Sequence, residues 1–324
     1  MATVSLPMIF AKFPRSLLFS RLNAVQSTSF AGIFVPTLTA HTPVCRLPAV
    51  LSRPSAVSQT DLSRLQADVL DLLRASPPSW KSAIASNVLI FMAGSPLLLP
   101  GLSVSGIGAS FLLGVLIWRA FGAPGFLLVA TFFVVGTAMT KLKMAHKESL
   151  GVAEKRRGRR GPGSVIGSSA AGCLCALLSI CDLGGATFAG VWQLGFVASF
   201  CTKLSDTVSS EIGKAYGRTT YLVTTFKVVP RGTEGAISVE GTIAGLLASV
   251  LLASVGYLVG KIDVAQAAIC VVASQIANFG ESYIGAAFQD KDGFKWLNND
   301  VVNVVNITVG GILAIVMQQL LTDN

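Results

Sequence analysis

Residues 199–214 read SFCTKLSDTVSSEIGK and follow directly on the apolar run 186–198. A charged side chain at the centre of a bilayer costs about 2.5–3.5 kcal/mol on insertion scales, so charge in such a run indicates a functional site. The alternative is that the helix leaves the membrane near Leu204 and that water solvates the charges. If the segment is helical, five polar residues share one face, at offsets of 0, 3, 4, 7 and 11. They are Lys203, Asp206, Thr207, Ser210 and Lys214.

The composition is that of a membrane protein with several spans. The chain is 52% hydrophobic and 13% charged, with a mean hydropathy of +0.66. These values exclude an ordinary soluble domain. We predict an all-α integral membrane protein, a bundle of about seven to eight transmembrane helices. The apolar runs long enough to cross the hydrocarbon are 82–100, 104–121, 124–142, 164–182, 186–204, 236–259, 264–286 and 301–320.

The N-terminal part differs from the rest. Residues 1–60 carry five Lys/Arg and no acid, are rich in Ser and Thr, and hold no long apolar core. This pattern predicts a transit peptide, with a chloroplast favoured over a mitochondrion. Residues 61–76 show helical apolar spacing and end at two prolines, which predicts an amphipathic helix and linker over 61–78. The polytopic domain is then 79–324. We expect a chloroplast membrane, the envelope more than the thylakoid.

The remaining basic charge lies in one loop. Residues 141–160 hold eight Lys/Arg against two Glu. Such a bias marks the side from which a membrane protein inserts. Two predicted spans separate 143–163 from 205–235 and 205–235 from 287–300, so all three loops should emerge on one side. No basic face with interleaved aromatics appears, and nucleic acid is not an expected partner.

Residues 217–235 differ from the apolar runs around them. The part 219–229 is β-branched and aromatic and is bounded by Gly217 and Pro230. This predicts a short hairpin or extended loop. The residues that follow, 231–235, read RGTEG and can present backbone N–H groups to an anion.

Acids and bases are the chemical resource of this chain. It contains no P-loop and no G-x-S-x-G motif, and its two histidines lie in the leader and the basic loop. Carboxylates with Lys, Arg and a glycine-rich loop suit phosphoryl transfer, in which Mg²⁺ bridges phosphate oxygens. A transporter could use the same residues as an ion relay. The candidate catalytic residues are Lys203, Asp206, Glu211 and Lys214, and the candidate Mg²⁺ ligands are Asp206 and Glu211.

Further polar residues extend the candidate site. Those expected to bind nucleotide or phosphate are Lys227, Arg231, Gly232, Thr233, Glu234, Gly235, Glu240, Gly241 and Thr242. Glu240 begins its predicted span, where the helix dipole alone could stabilise an acid. Those expected to line a polar cavity are Asn278, Glu281, Ser282, Asn299, Asp300, Asn303 and Asn306. The run 299–303 partly resembles the N-D-x-x-D motif of prenyltransferases, but asparagine replaces its second aspartate and the partner motif is missing.

Two segments together resemble a known family. Residues 205–218, SDTVSSEIGKAYGR, and 231–245, RGTEGAISVEGTIAG, are similar to the plastid phytyl-phosphate kinases of vitamin E synthesis and their bacterial, archaeal and animal relatives. The resemblance runs from about residue 80 to the C terminus. It implies a kinase that converts phytyl phosphate to phytyl diphosphate with a nucleoside triphosphate and Mg²⁺.

The donor comes from a more distant resemblance. Residues 239–242, VEGT, are similar to dolichol and phytol kinases, which use CTP, although those kinases tend to have Gly-Asp where this chain has Ser205-Asp206. CTP is therefore the expected donor. The implied partners are an isoprenoid phosphate and membrane lipid, and the sequence leaves the oligomeric state open.

Overall fold

A computed structural model of the chain describes residues 71, 78–289 and 291–322. The predicted leader and, apart from residue 71, the predicted amphipathic helix lie outside these residues. The described part is almost entirely helical, as predicted. Its helices are α1 (Trp80–Ala93), α2 (Ser95–Gly101), α3 (Val104–Lys141), α4 (Met144–Ser149), α5 (Pro162–Ile180), α6 (Gly185–Tyr216), α7 (Val239–Leu258), α8 (Val264–Phe288) and α9 (Asn299–Thr322).

Four helices in the described part of the chain are long and apolar enough to cross a membrane, namely α3, α5, α7 and α9. A fifth span results if α1 and α2 are counted together, although they meet at a 79° bend. The predicted apolar run 82–100 therefore forms two helices and not one. Gly94 ends α1, and Pro96 lies in the first turn of α2, where a proline is tolerated. The number of seven to eight spans stays a prediction.

Helix α3 folds back on itself at Gly122. Its backbone there has φ 68° and ψ −163°, a conformation open essentially only to glycine. The ring of Phe126 lies 5.6 Å from that of Trp118, and it also reaches Gly114. In a straight helix Gly114 and Phe126 would be about 18 Å apart. The two halves of α3 therefore pack side by side, and the break matches the predicted division between 104–121 and 124–142.

Helix α6 is the central helix of the bundle and packs against α3, α5, α7, α8 and α9. It runs without interruption for 32 residues, about 48 Å. The loop predicted to begin at residue 205 therefore begins only after Tyr216, because the charged segment continues the apolar one as helix. The alternative of solvated charges is also wrong, since Lys203 and Glu211 are buried and Asp206 nearly so.

The apolar core lies around the middle of α6. The ring of Phe196 contacts those of Phe121 and Phe200 at centroid distances of 4.4 and 5.3 Å, and Phe132 lies 5.4 Å from Phe200. Towards the end of α6 the packing depends on small residues. A Cβ at Gly245 would lie 2.9 Å from a backbone oxygen of α6, so only glycine lets α7 approach this closely.

Short β-structure follows α6, as predicted. The amide of Leu222 donates to the carbonyl of Lys227 at 2.9 Å, and that of Val229 donates to Thr220 at 3.0 Å, which closes the predicted hairpin. Strand β1 (Tyr221–Leu222) also pairs antiparallel with β2 (Ala236–Ile237). Helix α7 then begins at Val239 and is capped by Ser238, whose hydroxyl accepts from the amide of Gly241 at 3.1 Å.

The three loops predicted to share one side of the membrane meet at one end of the bundle. Lys214 donates to Glu154 at 3.3 Å, which joins the end of α6 to the basic loop. Asp300, at the start of α9, packs against the start of α5 at Gly163. The hairpin, the basic loop and the loop before α9 therefore surround the charged end of α6.

This arrangement predicts the labelling of single-cysteine variants in sealed membrane vesicles. Cysteines introduced at the exposed residues Ser149, Thr224 and Lys291 should react together with a membrane-impermeant maleimide, since two crossings separate neighbouring loops. The native Cys181 is exposed at the turn after α5 and is the matched control for the opposite side. Labelling of any of the three from the same side as Cys181 would contradict the arrangement.

Candidate functional site

The side chain of Lys203 is the centre of the charged end of α6. It is 6% exposed, and its ammonium donates to the carboxylate of Asp206, one turn further along the same helix. It also donates to Asn303 Oδ1 of α9 at 2.6 Å. The structure thus brings together three residues that the sequence assigned to the site, and it joins the predicted catalytic group to the predicted polar cavity.

Asp206 has a second partner on α8. Its carboxyl group lies within interaction range of that of Glu281, a residue predicted to line the polar cavity. Two carboxyl groups can share a hydrogen bond only if one of them holds a proton, because two carboxylates repel each other. A cation between them would meet the same requirement. Asp206 and Glu281 therefore form a carboxyl pair with Lys203 at its side.

Amide and hydroxyl groups continue the site deeper into the bundle. Asn278 donates to the hydroxyl of Ser205 at 2.8 Å, and Asn306 donates to Asn278 Oδ1 at 3.0 Å. Gln275 reaches the same Ser205 hydroxyl at 3.1 Å. These bonds link α6, α8 and α9 below the charges. They fix the positions of the helices that carry Asp206, Glu281 and Asn303.

A second buried ion pair lies nearer the end of α6. Lys147 of α4 is completely buried, and its ammonium donates to Glu211 and, at 2.6 Å, to the carbonyl of Thr140. The sequence analysis assigned Glu211 to the site but counted Lys147 only as part of the basic loop. The insertion rule already explains a positive charge in this loop, so nothing in the sequence marks Lys147 as the partner of Glu211. We call Lys147, Lys203, Asp206, Glu211 and Glu281 the charged cluster.

Arg160 is the other residue that the sequence analysis did not single out. It lies at the end of the basic loop, just before α5, with its guanidinium 5.4 Å from the ring of Phe132. Burial lowers the pKa of this guanidinium, and the charges of Glu154, Glu211 and Asp206 act in the opposite direction. An arginine stays protonated under such shifts, so Arg160 adds a permanent positive charge beside the cluster.

Residues at the open end of the site are more exposed. Lys214 pairs with Glu154, and Lys143 lies 3.8 Å above the ring of Tyr216. Both contacts tie the basic loop to the end of α6. They leave positive charge at the aqueous rim, where a soluble anion could reach it.

The glycine-rich loop 231–235 packs close to the charged cluster, but the predicted phosphate-binding cations of this region lie near the protein surface. Gly232 adopts a φ of 82° and packs on Val152 of the basic loop. Gly235 adopts a φ of 73°, and a Cβ there would collide with the backbone of α8 at Ser282. Arg231 is half-buried. Three other candidate residues of this region are exposed, namely Lys227, Thr233 and Glu234.

Residues 240–242 have local structural partners. The carboxylate of Glu240 accepts from the amide of Arg218 at 3.3 Å, within the first turn of α7, where the helix dipole favours an acid. Gly241 packs against the backbone of α6, and the Thr242 hydroxyl donates to the carbonyl of Ser238 at 2.9 Å. A part in nucleotide binding stays a prediction for all three.

The residues predicted at the start of α9 divide into two groups. Asn303 and Asn306 are buried and contact the site, whereas Asn299 is exposed. The Asp300 carboxylate lies against Gly163, near the N-termini of both α9 and α5. Two helix N-termini stabilise a carboxylate, so a structural role is enough to account for an acid at position 300 and no catalytic role is needed.

The described residues contain no group of three or more His, Cys, Asp or Glu arranged to hold a metal ion. Mg²⁺ bound with phosphates commonly takes only one or two protein carboxylates. The predicted ligands Asp206 and Glu211 lie about 140° apart around α6 and contact different lysines. Asp206 with Glu281 is the pair that fits such an ion better, because these two carboxyl groups interact with each other.

Comparison with known proteins identifies the family to which this chain belongs. A family model described as Integral membrane protein DUF92 matches residues 87–311. Protein VTE6, chloroplastic, from Arabidopsis thaliana is 65% identical over 270 residues, 83% of this chain and 81% of the relative. An uncharacterized membrane protein of Synechocystis sp. is 46% identical over 244 residues, 73% of this chain and 90% of the relative.

A more distant relative is an uncharacterized membrane protein of Methanocaldococcus jannaschii. It is 32% identical over 215 residues, 65% of this chain and 84% of the relative. No solved structure matches the chain. The matched range 87–311 includes the whole charged cluster and Arg160.

The buried pair Lys147–Glu211 yields a stability prediction. Lys147→Met leaves Glu211 buried without a cation, which should cost about 3–5 kcal/mol of unfolding free energy. Adding Glu211→Gln should recover part of this loss, because the uncompensated charge is removed. Lys214→Met is the matched control. Its pair with Glu154 is partly exposed, so the loss should stay below about 1 kcal/mol.

Unfolding of the purified variants in detergent measures these differences. Equal destabilisation by Lys147→Met and Lys214→Met would show that the buried pair contributes no more than a surface one.

Proposed function

From the membership of this chain in the Integral membrane protein DUF92 family, we propose that it is an intramembrane kinase for an isoprenoid phosphate. It transfers a phosphoryl group from a nucleoside triphosphate, CTP, to phytyl phosphate and so contributes phytyl diphosphate to vitamin E synthesis in a chloroplast membrane. The similarity to Protein VTE6, chloroplastic, supports the role in vitamin E synthesis and the compartment. The resemblance of 205–218 and 231–245 to phytyl-phosphate kinases supports the reaction.

The observation that carries the proposal is the buried contact of Lys203 with Asp206 and Asn303 beside the carboxyl pair. Both substrates of this reaction are phosphate anions, and their mutual repulsion must be cancelled before they can meet. An ammonium held in a low-dielectric site cancels phosphate charge far better than one in water. A site with cations and a carboxyl pair at a membrane face suits two such anions.

The bond changes are those of a phosphoryl transfer. A terminal oxygen of phytyl phosphate forms a bond to the γ-phosphorus, and the bond from that phosphorus to the nucleoside diphosphate breaks. The acceptor oxygen is already ionised at neutral pH, so no side chain has to remove a proton. The chain's own residues then have to orient the two phosphates and neutralise their charge, which is where most catalysis of this reaction lies.

Individual residues have distinct parts in this proposal. Lys203 neutralises oxygens of the transferred group, and Asn303 holds the ammonium in place. Asp206 and Glu281 would hold Mg²⁺, which when bound neutralises phosphate oxygens. The loop 231–235 and Lys227 face the aqueous side, from which the nucleotide comes. Lys214 adds positive charge at the same rim.

The proposal predicts the behaviour of Asp206→Asn. With phytyl phosphate, Mg²⁺ and CTP, purified wild-type protein should form phytyl diphosphate. Asp206→Asn should lower kcat by roughly 10²–10³-fold, as expected when a group that controls transition-state charge is lost. The exposed Asp292→Asn is the matched control and should keep wild-type activity.

Mass spectrometry of the lipid product measures the outcome. The absence of phytyl diphosphate with wild-type protein, whichever nucleotide is supplied, would contradict the kinase. If that inactive protein moves ions across the membrane of liposomes, the alternative function of a transporter is favoured.

A second prediction concerns the nucleotide. If Arg231 binds the triphosphate through two parallel hydrogen bonds, Arg231→Ala should raise the nucleotide KM about ten- to hundredfold, the loss expected for charge-assisted bonds. Arg231→Lys should give a smaller but clear increase, since lysine keeps the charge and loses the fork. The exposed Lys291→Ala is the control. Unchanged nucleotide titration curves in both Arg231 variants would remove the loop from donor binding.

A further inference from the structure

An apolar cavity lies between the broken helix pair α1–α2, the two halves of α3 and the start of α5. Its wall is almost entirely apolar. The larger lining side chains are Phe91, Leu98, Leu113, Phe126, Phe133 and Val165. The mechanism proposed above does not use this cavity, and the sequence analysis did not predict it.

Arg160 is the one charged residue among those that line the cavity. Its backbone holds it firmly, because its amide donates to the carbonyl of Gly101 at 2.9 Å and its carbonyl accepts from Ser103 at 3.0 Å. The guanidinium extends to Gly136 of α3. A Cβ there would lie 2.9 Å from Arg160 Nη2, so the glycine provides the space that the guanidinium occupies.

The guanidinium is half-buried, yet within the described residues no carboxylate lies close enough to form an ion pair with it. A charge removed from water needs a counter-charge or hydrogen-bond acceptors. The charges of Glu154, Glu211 and Asp206 act on the guanidinium of Arg160, and the same residue lines the cavity. Such a position suits an anion that is attached to an apolar chain.

The cavity is accessible from the lipid side. Leu97 and Val134 line it and are also 62% and 48% exposed on the outer surface of the bundle. A hydrocarbon chain can therefore enter sideways from the bilayer. Its headgroup would then lie at the same membrane face as Lys203 and Asp206.

We propose that this cavity binds the proximal part of the isoprenyl chain of the lipid substrate and that Arg160 binds its phosphate. The inference rests on the proposed function for the identity of the occupant, an isoprenyl monophosphate. It adds a binding site for the chain and a second phosphate-binding residue. The chain lies along α1, α2 and α3, and the phosphate lies at Arg160, on the side of the charged cluster where phosphoryl transfer is proposed.

Photolabelling tests this site without relying on turnover. Wild-type protein in phosphatidylcholine nanodiscs is illuminated with a C20 isoprenyl phosphate that carries a diazirine in its chain, and the labelled peptides are identified by mass spectrometry. Label should appear on peptides containing Phe91, Leu98 or Phe126. Phytyl phosphate should compete for it, whereas phytol and phosphatidylglycerol should compete poorly.

Two kinds of variant separate the headgroup from the chain. Arg160→Gln should weaken competition by phytyl phosphate about ten- to hundredfold, and Arg160→Lys should weaken it less. Ser110→Phe fills part of the cavity and should reduce labelling with Arg160 intact. Leu112→Phe, two residues away and 71% exposed, is the matched control and should label like wild type. Thermal unfolding checks that each variant is folded.

The outcomes distinguish this inference from the kinase. Label confined to peptides outside α1–α3 and the start of α5, equal competition by phosphatidylglycerol, or unchanged labelling in both Arg160→Gln and Ser110→Phe would overturn the inference, even if phytyl diphosphate still forms. The expected labelling without any diphosphate formation would support the binding site and contradict the kinase. If Arg160→Gln does not fold, the positions of the labelled peptides and the labelling of Ser110→Phe still test the proposed binding site.

Discussion

The burial of the Lys203 and Glu211 charges in α6 is the constraint on which the rest of the structure depends. Removing a charge from water costs several kcal/mol, and only a well-placed partner offsets that cost. The partners of Lys203 are Asp206 and Asn303, which lies 100 residues further along the chain. Glu211 obtains its partner from Lys147, 64 residues before it. The basic loop and the start of α9 are therefore held against the end of α6.

The same constraint explains why small residues lie where they do. Charged side chains can meet their partners only if the helices that carry them approach closely. Gly245 lets α7 contact α6 beside Ser205, and Gly310 lets α9 contact α6 at Thr202. Both glycines lie within a few residues of the polar network. These two glycines thus support the geometry of the site through close packing of the helices.

Much of the fold could be predicted from periodicity and composition. The apolar runs, the hairpin after α6 and the convergence of three loops follow from rules that act over short distances or count crossings. The prediction that a loop begins at residue 205 is wrong because local hydropathy drops there, whereas the helix continues with its polar face turned inward. Gly94 and Pro96 mark the place where α1 ends and α2 begins, but the 79° angle between the two helices does not follow from them.

The site was predictable only for the residues whose charge is anomalous in sequence. Lys203, Asp206 and Glu281 lie in or near apolar runs, and the structure brings them together. Lys147 and Arg160 lie in a basic loop, where a positive charge already has an ordinary explanation. Their burial arises from the fold of that loop over α6 and α3. Pairing at a distance of 64 residues leaves no trace in a single sequence.

The two halves of α6 face different chemistry, and this division matches the proposed substrate. Around its middle, Phe196 and Phe200 pack in an apolar core; further towards its end, Lys203 and Asp206 lie among carboxyl and amide groups. An isoprenyl phosphate has the same division between chain and headgroup. Arg160 borders the apolar cavity, and the charges of Glu154, Glu211 and Asp206 act on its guanidinium. A substrate whose phosphate binds at Arg160 would therefore have its reacting oxygen on the side of the charged cluster while its chain stays in contact with lipid-facing helices.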